Sequence, residues 1–226
     1  MKTLLRSSLV LSVLVLSACS AFSASENLAF KVTFDANVES ASKEDLGRAV
    51  NRVIERRVES MNGKVTDLKN TLTDAGADVS FTISPGKLAA PLTDQLVSPF
   101  SFQLMRAAKA TEKPDLTIAE KGGYMQMGVT EKDVLWLYAG QDDATKKGWV
   151  RILFTEEGKK KVKDALSQTK GMQVALIVRN QLVSTFQSQG VGRENIMIDG
   201  VPTAELAGIF ADDVNVGVHA SFVPKK

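Results

Sequence analysis

"LAFKVTFDANVESASKEDLGRAVNRVIERRVESMNG", residues 28–63, decides the fold class through a change of period. Over 28–34 the chain alternates, with Leu28, Phe30, Val32 and Phe34 on one face and Ala29, Lys31 and Thr33 on the other. That is the pattern of a strand buried on one side. Leu46, Val50, Val53, Val58 and Met61 then recur near helical spacing until Gly63 stops them, which predicts a helix with one apolar stripe. Ser42 is the expected N-cap, with Asp45 three residues on. A strand feeding a helix, each with one apolar side, points to a layered α+β domain.

Working outward, "KVTDLKNT" (64–71) and "ADVSFTIS" (77–84) read as the next two strands, "PLTDQLVS" (91–98) as a short helix, and "FSFQLMR" (100–106) as a fourth strand. The order βαββαβ over 27–108 is that of a ferredoxin-like α/β sandwich. Residues 107–133 form a poorly patterned connection. The pattern resumes with "VLWLY" and "WVRILF", and then a helix begins at Thr155, its cap, with Glu156 and Glu157 in the first turn. "MQVALIV" (172–178) is apolar enough to be buried on both faces. "LVSTFQ" and "ENIMI" read as strands, "TAELAGIFA" as a short helix and "VNVGVHASFV" (214–223) as a last strand, free to return to the first unit. The expected architecture is therefore two small ferredoxin-like α/β sandwiches, 27–108 and 109–226, with antiparallel or mixed sheets.

The amino terminus has a different character. Lys2 and Arg6 precede an apolar run, Ser8–Ala18, which has the length of a signal h-region (~7–15 residues) and falls short of the ~20 residues of a membrane span. Leu16-Ser17-Ala18-Cys19 follows the lipobox pattern, so 1–18 reads as a lipoprotein signal peptide, Cys19 as the lipid-attachment residue and 19–26 as a tether. An ordinary secretory leader cut after Ala21 or Ala24 is the alternative, and would discard Cys19. Ser20 lacks the acidic character of an inner-membrane retention signal, which favours the outer membrane slightly if the cell is Gram-negative. The expected location is thus the bacterial cell envelope, facing the periplasm. Loss of Lys2 and Arg6 brings 28 basic residues level with 26 acidic ones. A balanced chain of this kind gives no basis for nucleic-acid binding. Cys19 is the sole cysteine, so no intramolecular disulfide can form.

Reactive groups are scarce. His219 is the single histidine, expected on the solvent side of the last strand, and a zinc site needs about three or four His, Cys or carboxylate ligands. Gly190 and Gly192 run into a strand rather than opening a helix, so they do not make a dinucleotide loop. The lysines of "EEGKKKVK" read as a solvated helix face. Asp142 and Asp143 lack the glycine and closing glutamate of a calcium loop. No catalytic residue, metal or cofactor is expected, and the chain does not read as an enzyme. Tyr124, Met125 and Met127 form a soft apolar cluster beside Gly122-Gly123. They are either partner-binding residues or a plug fixing the connection to the core.

The stretch from Gly148 to Ala211 resembles the first periplasmic domain of the SecD family. Val150, Ile152, Phe154, Gly158 and Val162 match the family's strand and following helix; Ala175, Leu176, Val183 and Ser184 match its next strands. Ile198, Gly200, Ala204, Leu206 and Ala207 match the closing strand and helix. Upstream, Arg57, Val58, Gly63, Pro85, Gly86 and Arg106 fit the same order, so the resemblance spans roughly Phe30–Val218. Asn180-Gln181 stands where the family has Asp-Gly in a hairpin turn. The resemblance implies a base and head that bind translocating polypeptide or Sec translocase components. In SecD that domain sits between proton-coupled membrane helices, and no apolar run after Cys19 reaches spanning length, so the expected grip is passive. An envelope interaction lipoprotein that reuses the fold for an unrelated partner is the alternative.

Overall fold

The computed structural model describes residues 24–36 and 38–225. The protein is α+β, and every strand pairing among the described residues is antiparallel. β1 (Glu26–Phe34), β2 (Lys64–Thr73), β3 (Gly76–Ser84) and β12 (Ala220–Pro224) form one sheet in the order β12-β1-β3-β2. α1 (Ser40–Ser60) and α2 (Ala89–Val97) cover it. The alternation in β1 sends Phe30, Val32 and Phe34 inward, against Leu46, Val50, Val53, Ile54 and Val58 of α1. Phe30 stacks on Phe81 and meets Phe222 edge-on, each at 6.1 Å between centroids. α1 starts two residues before the expected cap: Glu39 is the N-cap, no side chain caps the helix, and Ser42 lies within its first turn.

β4 (Phe102–Ala107), β5 (Leu116–Ile118), β6 (Gly122–Thr130), β9 (Gln173–Val178) and β10 (Gln181–Gln187) make a second sheet, ordered β10-β9-β4-β6-β5. β7 (Val134–Gln141), β8 (Gly148–Phe154) and β11 (Asn195–Val201) make a third, ordered β11-β8-β7. α3 (Glu156–Ser167) packs against β6 and β8, and α4 (Ala204–His219) against β7, β8 and β11, with Val162, Leu166, Ala207, Ala211 and Val214 in one core. Thr155 caps α3 by accepting the Gly158 N–H at 3.0 Å.

Two sequence expectations are corrected. The fourth strand of the first sheet is β12, not "FSFQLMR", which is central in the five-stranded sheet. β4 is apolar on both faces: Phe102 and Leu104 enter one core while Met105 enters another. Only an interior position covers both. The final segment is also not a strand throughout, because α4 runs to His219 before β12 begins. Val214 packs into the second core and Val216 into the first. A helix lodged between two cores is apolar on several sides, and its sequence then mimics strand alternation.

Candidate functional site

His219 ends α4 and is buried, not solvent-facing as the strand reading required. Its ring stacks on Trp136, with centroids 5.5 Å apart and planes at 21°, and both ring nitrogens are shielded from solvent. Burial pushes its pKa below the ordinary value; the Asp35 charge and the Leu135 backbone oppose this more weakly. Such a ring offers no proton acceptor to a surface substrate. Among the described residues no three His, Cys, Asp or Glu side chains gather as a metal site. Cys19 lies outside the described residues.

The connection that held Tyr124, Met125 and Met127 is ordered as β5 and β6. Tyr124 is buried with Met105, Ala175 and Ile177 on the outer face of the five-stranded sheet, whereas Met127 packs partly against the core on its inner face. Met125 joins neither cluster. Successive residues of a strand point to opposite faces, so the three do not share a surface.

The informative features are the sheet edges. Among the described residues three sheets leave six outer strands, and an unpaired edge is a template for another chain. Most are blunted. The Asn215 amide closes β7, accepting the Leu137 N–H at 2.8 Å and donating to the Leu137 carbonyl at 2.9 Å. β2 carries Lys64, Asp67 and Lys69 and a bulge with Asp67 at φ 54°. β5 has three residues, and β12 ends in Pro224, which has no N–H. β10, "QLVSTFQ", has seven residues and no charge.

β10 is held in place by local chemistry. Arg179 and Asn180 both have positive φ, 51° and 61°, as the two-residue type I′ hairpin requires. The turn thus sits one residue before the expected Asn180-Gln181. A register shift between Leu182 and Ser184 leaves Val183 bulged and 44% exposed. At the far end Ser188 is buried: its Oγ donates to the Leu166 carbonyl at 3.1 Å and accepts from Thr169 Oγ1 at 3.0 Å. These bonds satisfy the open carbonyl end of α3 and pin the loop that follows. A Cβ at Gly192 would lie 2.5 Å from the Lys163 side chain, so the loop also sits tight there, while Val191 between the two anchors is 58% exposed. β11 follows as the outer strand of its own sheet. Between the two edges lies a cleft of about 190 Å3, lined by Leu166, Phe186, Val191, Ile196 and Met197 and rimmed by uncharged amides and Arg193. The strands were legible in the sequence, but not that both are edges. The absence of charge over 181–187 was the available signal.

No family model matches the chain, and no curated protein matches it. Solved SecDF structures are among its structural neighbours. A structure of SecDF in its super-membrane-facing form is 13% identical, covering 91% of this chain and 30% of that one, with a TM-score of 0.48. A membrane component SecDF that enhances protein export is 14% identical, covering 89% and 99%, with a TM-score of 0.43. SecDF from Thermus thermophilus, a translocon-associated membrane protein, is 15% identical, covering 88% and 30%, with a TM-score of 0.44. The chain thus spans about 30% of the length of the first of these. No helix among the described residues is long and apolar enough to cross a membrane.

Proposed function

We propose that the protein is a non-enzymatic accessory of protein export, anchored to the cell envelope through Cys19, that binds extended polypeptide passively as a strand added to β10. The observation that carries this reading is an uncharged seven-residue edge running into a cleft lined by both apolar side chains and uncharged amides. Main-chain pairing supplies affinity without demanding a sequence, and alternate side chains of the guest enter the cleft. The export setting is supported by the leader, the lipobox and the resemblance of the motifs around Val150–Ala207. A lipid anchor raises the effective concentration of the edge near chains emerging at a membrane.

The test is a photo-crosslinking residue placed at Val183 in living cells, with identification of every captured protein. Many unrelated secreted chains, with or without translocase subunits, support the reading. A single dominant envelope protein and no secreted chains would overturn it in favour of an interaction lipoprotein with one dedicated partner.

A further inference from the structure

The arginines of the protein are almost all spoken for. Arg48, Arg52, Arg56, Arg57, Arg106 and Arg179 each meet a carboxylate, and Arg151 lies 5.8 Å over the Trp149 ring. Arg193 alone among the described arginines has no such partner for its side chain. It is exposed, and it lines the cleft between β10 and β11, where it is the only ionised side chain. The rest of that lining is apolar, or is hydroxyl and amide from Ser188, Gln187, Gln189 and Asn195.

The surroundings of Arg193 are basic as well. Its loop rests on the stems of two lysines: a Cβ at Gly192 would lie 2.5 Å from the Lys163 side chain, and one at Gly190 would lie 2.6 Å from that of Lys170. Neither lysine has an ion-pair partner among the described residues. Glu194, the next residue after Arg193, does not line the cleft. Its charge acts instead on Lys159, whose pKa is raised chiefly by the bond to Glu156 and further by Glu194.

We infer that the β10 edge selects extended segments in which an aspartate or glutamate stands two residues from an apolar residue. The carboxylate meets Arg193 while the apolar side chain enters the cleft. A guanidinium group suits a planar carboxylate, and a positive rim steers and discriminates guests by charge. Residues two apart in a strand share a face, so one guest can supply both groups to one cleft. A free anion would satisfy Arg193 and leave the apolar wall and the amides uncovered, whereas a peptide offers a carboxylate, an apolar group and backbone polar groups together. This preference presupposes strand addition at β10 and refines which strands are added.

The test is fluorescence anisotropy at low salt with the purified full-length protein and three short labelled peptides, acetylated and amidated so that no terminal charge remains. They share a central valine and differ in the residues two before and two after it: glutamate, glutamine or lysine. The glutamate peptide should bind about fivefold more tightly than the glutamine peptide and at least about tenfold more tightly than the lysine peptide. Arg193→Glu changes an exposed side chain without a partner, so it should leave the melting temperature unchanged and reverse the order of the glutamate and lysine peptides. Equal binding of the three peptides would overturn the inference, as would an unchanged order in Arg193→Glu. If the three bind equally and Val183→Lys weakens the neutral glutamine peptide, strand addition at β10 stands and only the acidic preference falls. Binding of none of them would overturn both.

Discussion

At the scale of single residues, two buried polar side chains serve the fold rather than chemistry. Asn215 stands in for a missing strand by completing both backbone groups of Leu137. Asn215→Leu keeps the branched shape but leaves a buried donor and a buried acceptor unpaired, and should cost on the order of 3 kcal/mol in urea unfolding. His219 gives a pH signature. Its folded pKa lies below the unfolded value of about 6.5, so the unfolded state binds the proton first. Stability from this residue is complete above the unfolded pKa and is lost as pH falls from there toward the folded value. The urea midpoint should drop between pH 7.5 and 5.5, and His219→Phe, which keeps a ring against Trp136, should flatten that drop. An unchanged slope in the variant would remove His219 as its source. The Arg106–Glu112 pair acts in a different window. Arg106, with the Lys109 N–H, lowers the Glu112 pKa to about 2, so its contribution is complete above about pH 4.5 and is lost progressively as pH falls from there to about 2.

At the scale of elements, what the sequence showed depended on whether a segment had one apolar face. β1, α1 and α3 each have one, and their periods announced them. β6 was illegible because Gly122 and Gly128 adopt positive φ and a register shift breaks the alternation of "GGYMQMGVT". α4 misled because Val214 and Val216 serve different cores. Gly158, noted through a family pattern, acquires a physical reason: a Cβ there would sit 2.4 Å from the Asp133 carbonyl oxygen. Gly158→Ala should therefore destabilise by about 1–3 kcal/mol despite its better helix propensity, as overpacking does. A rise in melting temperature would contradict the close approach. For β10 the decisive variant is Val183→Lys, which adds the edge charge other strands use against pairing. Capture of secreted chains should fall by about tenfold while thermal stability is unchanged. The candidate edge was half legible, since charge can be read along a chain but strand neighbours cannot.

At the scale of the whole molecule, α4 joins layers that the sequence suggested were separable. It packs on α1, β7, β8, β11 and β12, and its acidic pair Asp212-Asp213 holds three arginines of α1. Residues 24–108 expressed alone lack both α4 and β12, and should show no cooperative thermal transition, whereas the full chain should show a single one. A sharp transition in the fragment would mean that the first sheet closes without them. Cys19→Ala should move the protein from the membrane to the soluble fraction, and unchanged partitioning would refute the lipid anchor. One consequence concerns time rather than energy. β1 is among the first described segments to leave the ribosome, yet one of its two neighbours is β12, joined through pairs such as Val32↔Phe222. Contacts so distant along the chain form slowly, and chains emerge at only about 5–20 residues per second. For roughly ten seconds or more of synthesis, β1 must wait with one flank bare, and the protein passes its own infancy in the condition of the unfinished chains it is proposed to hold.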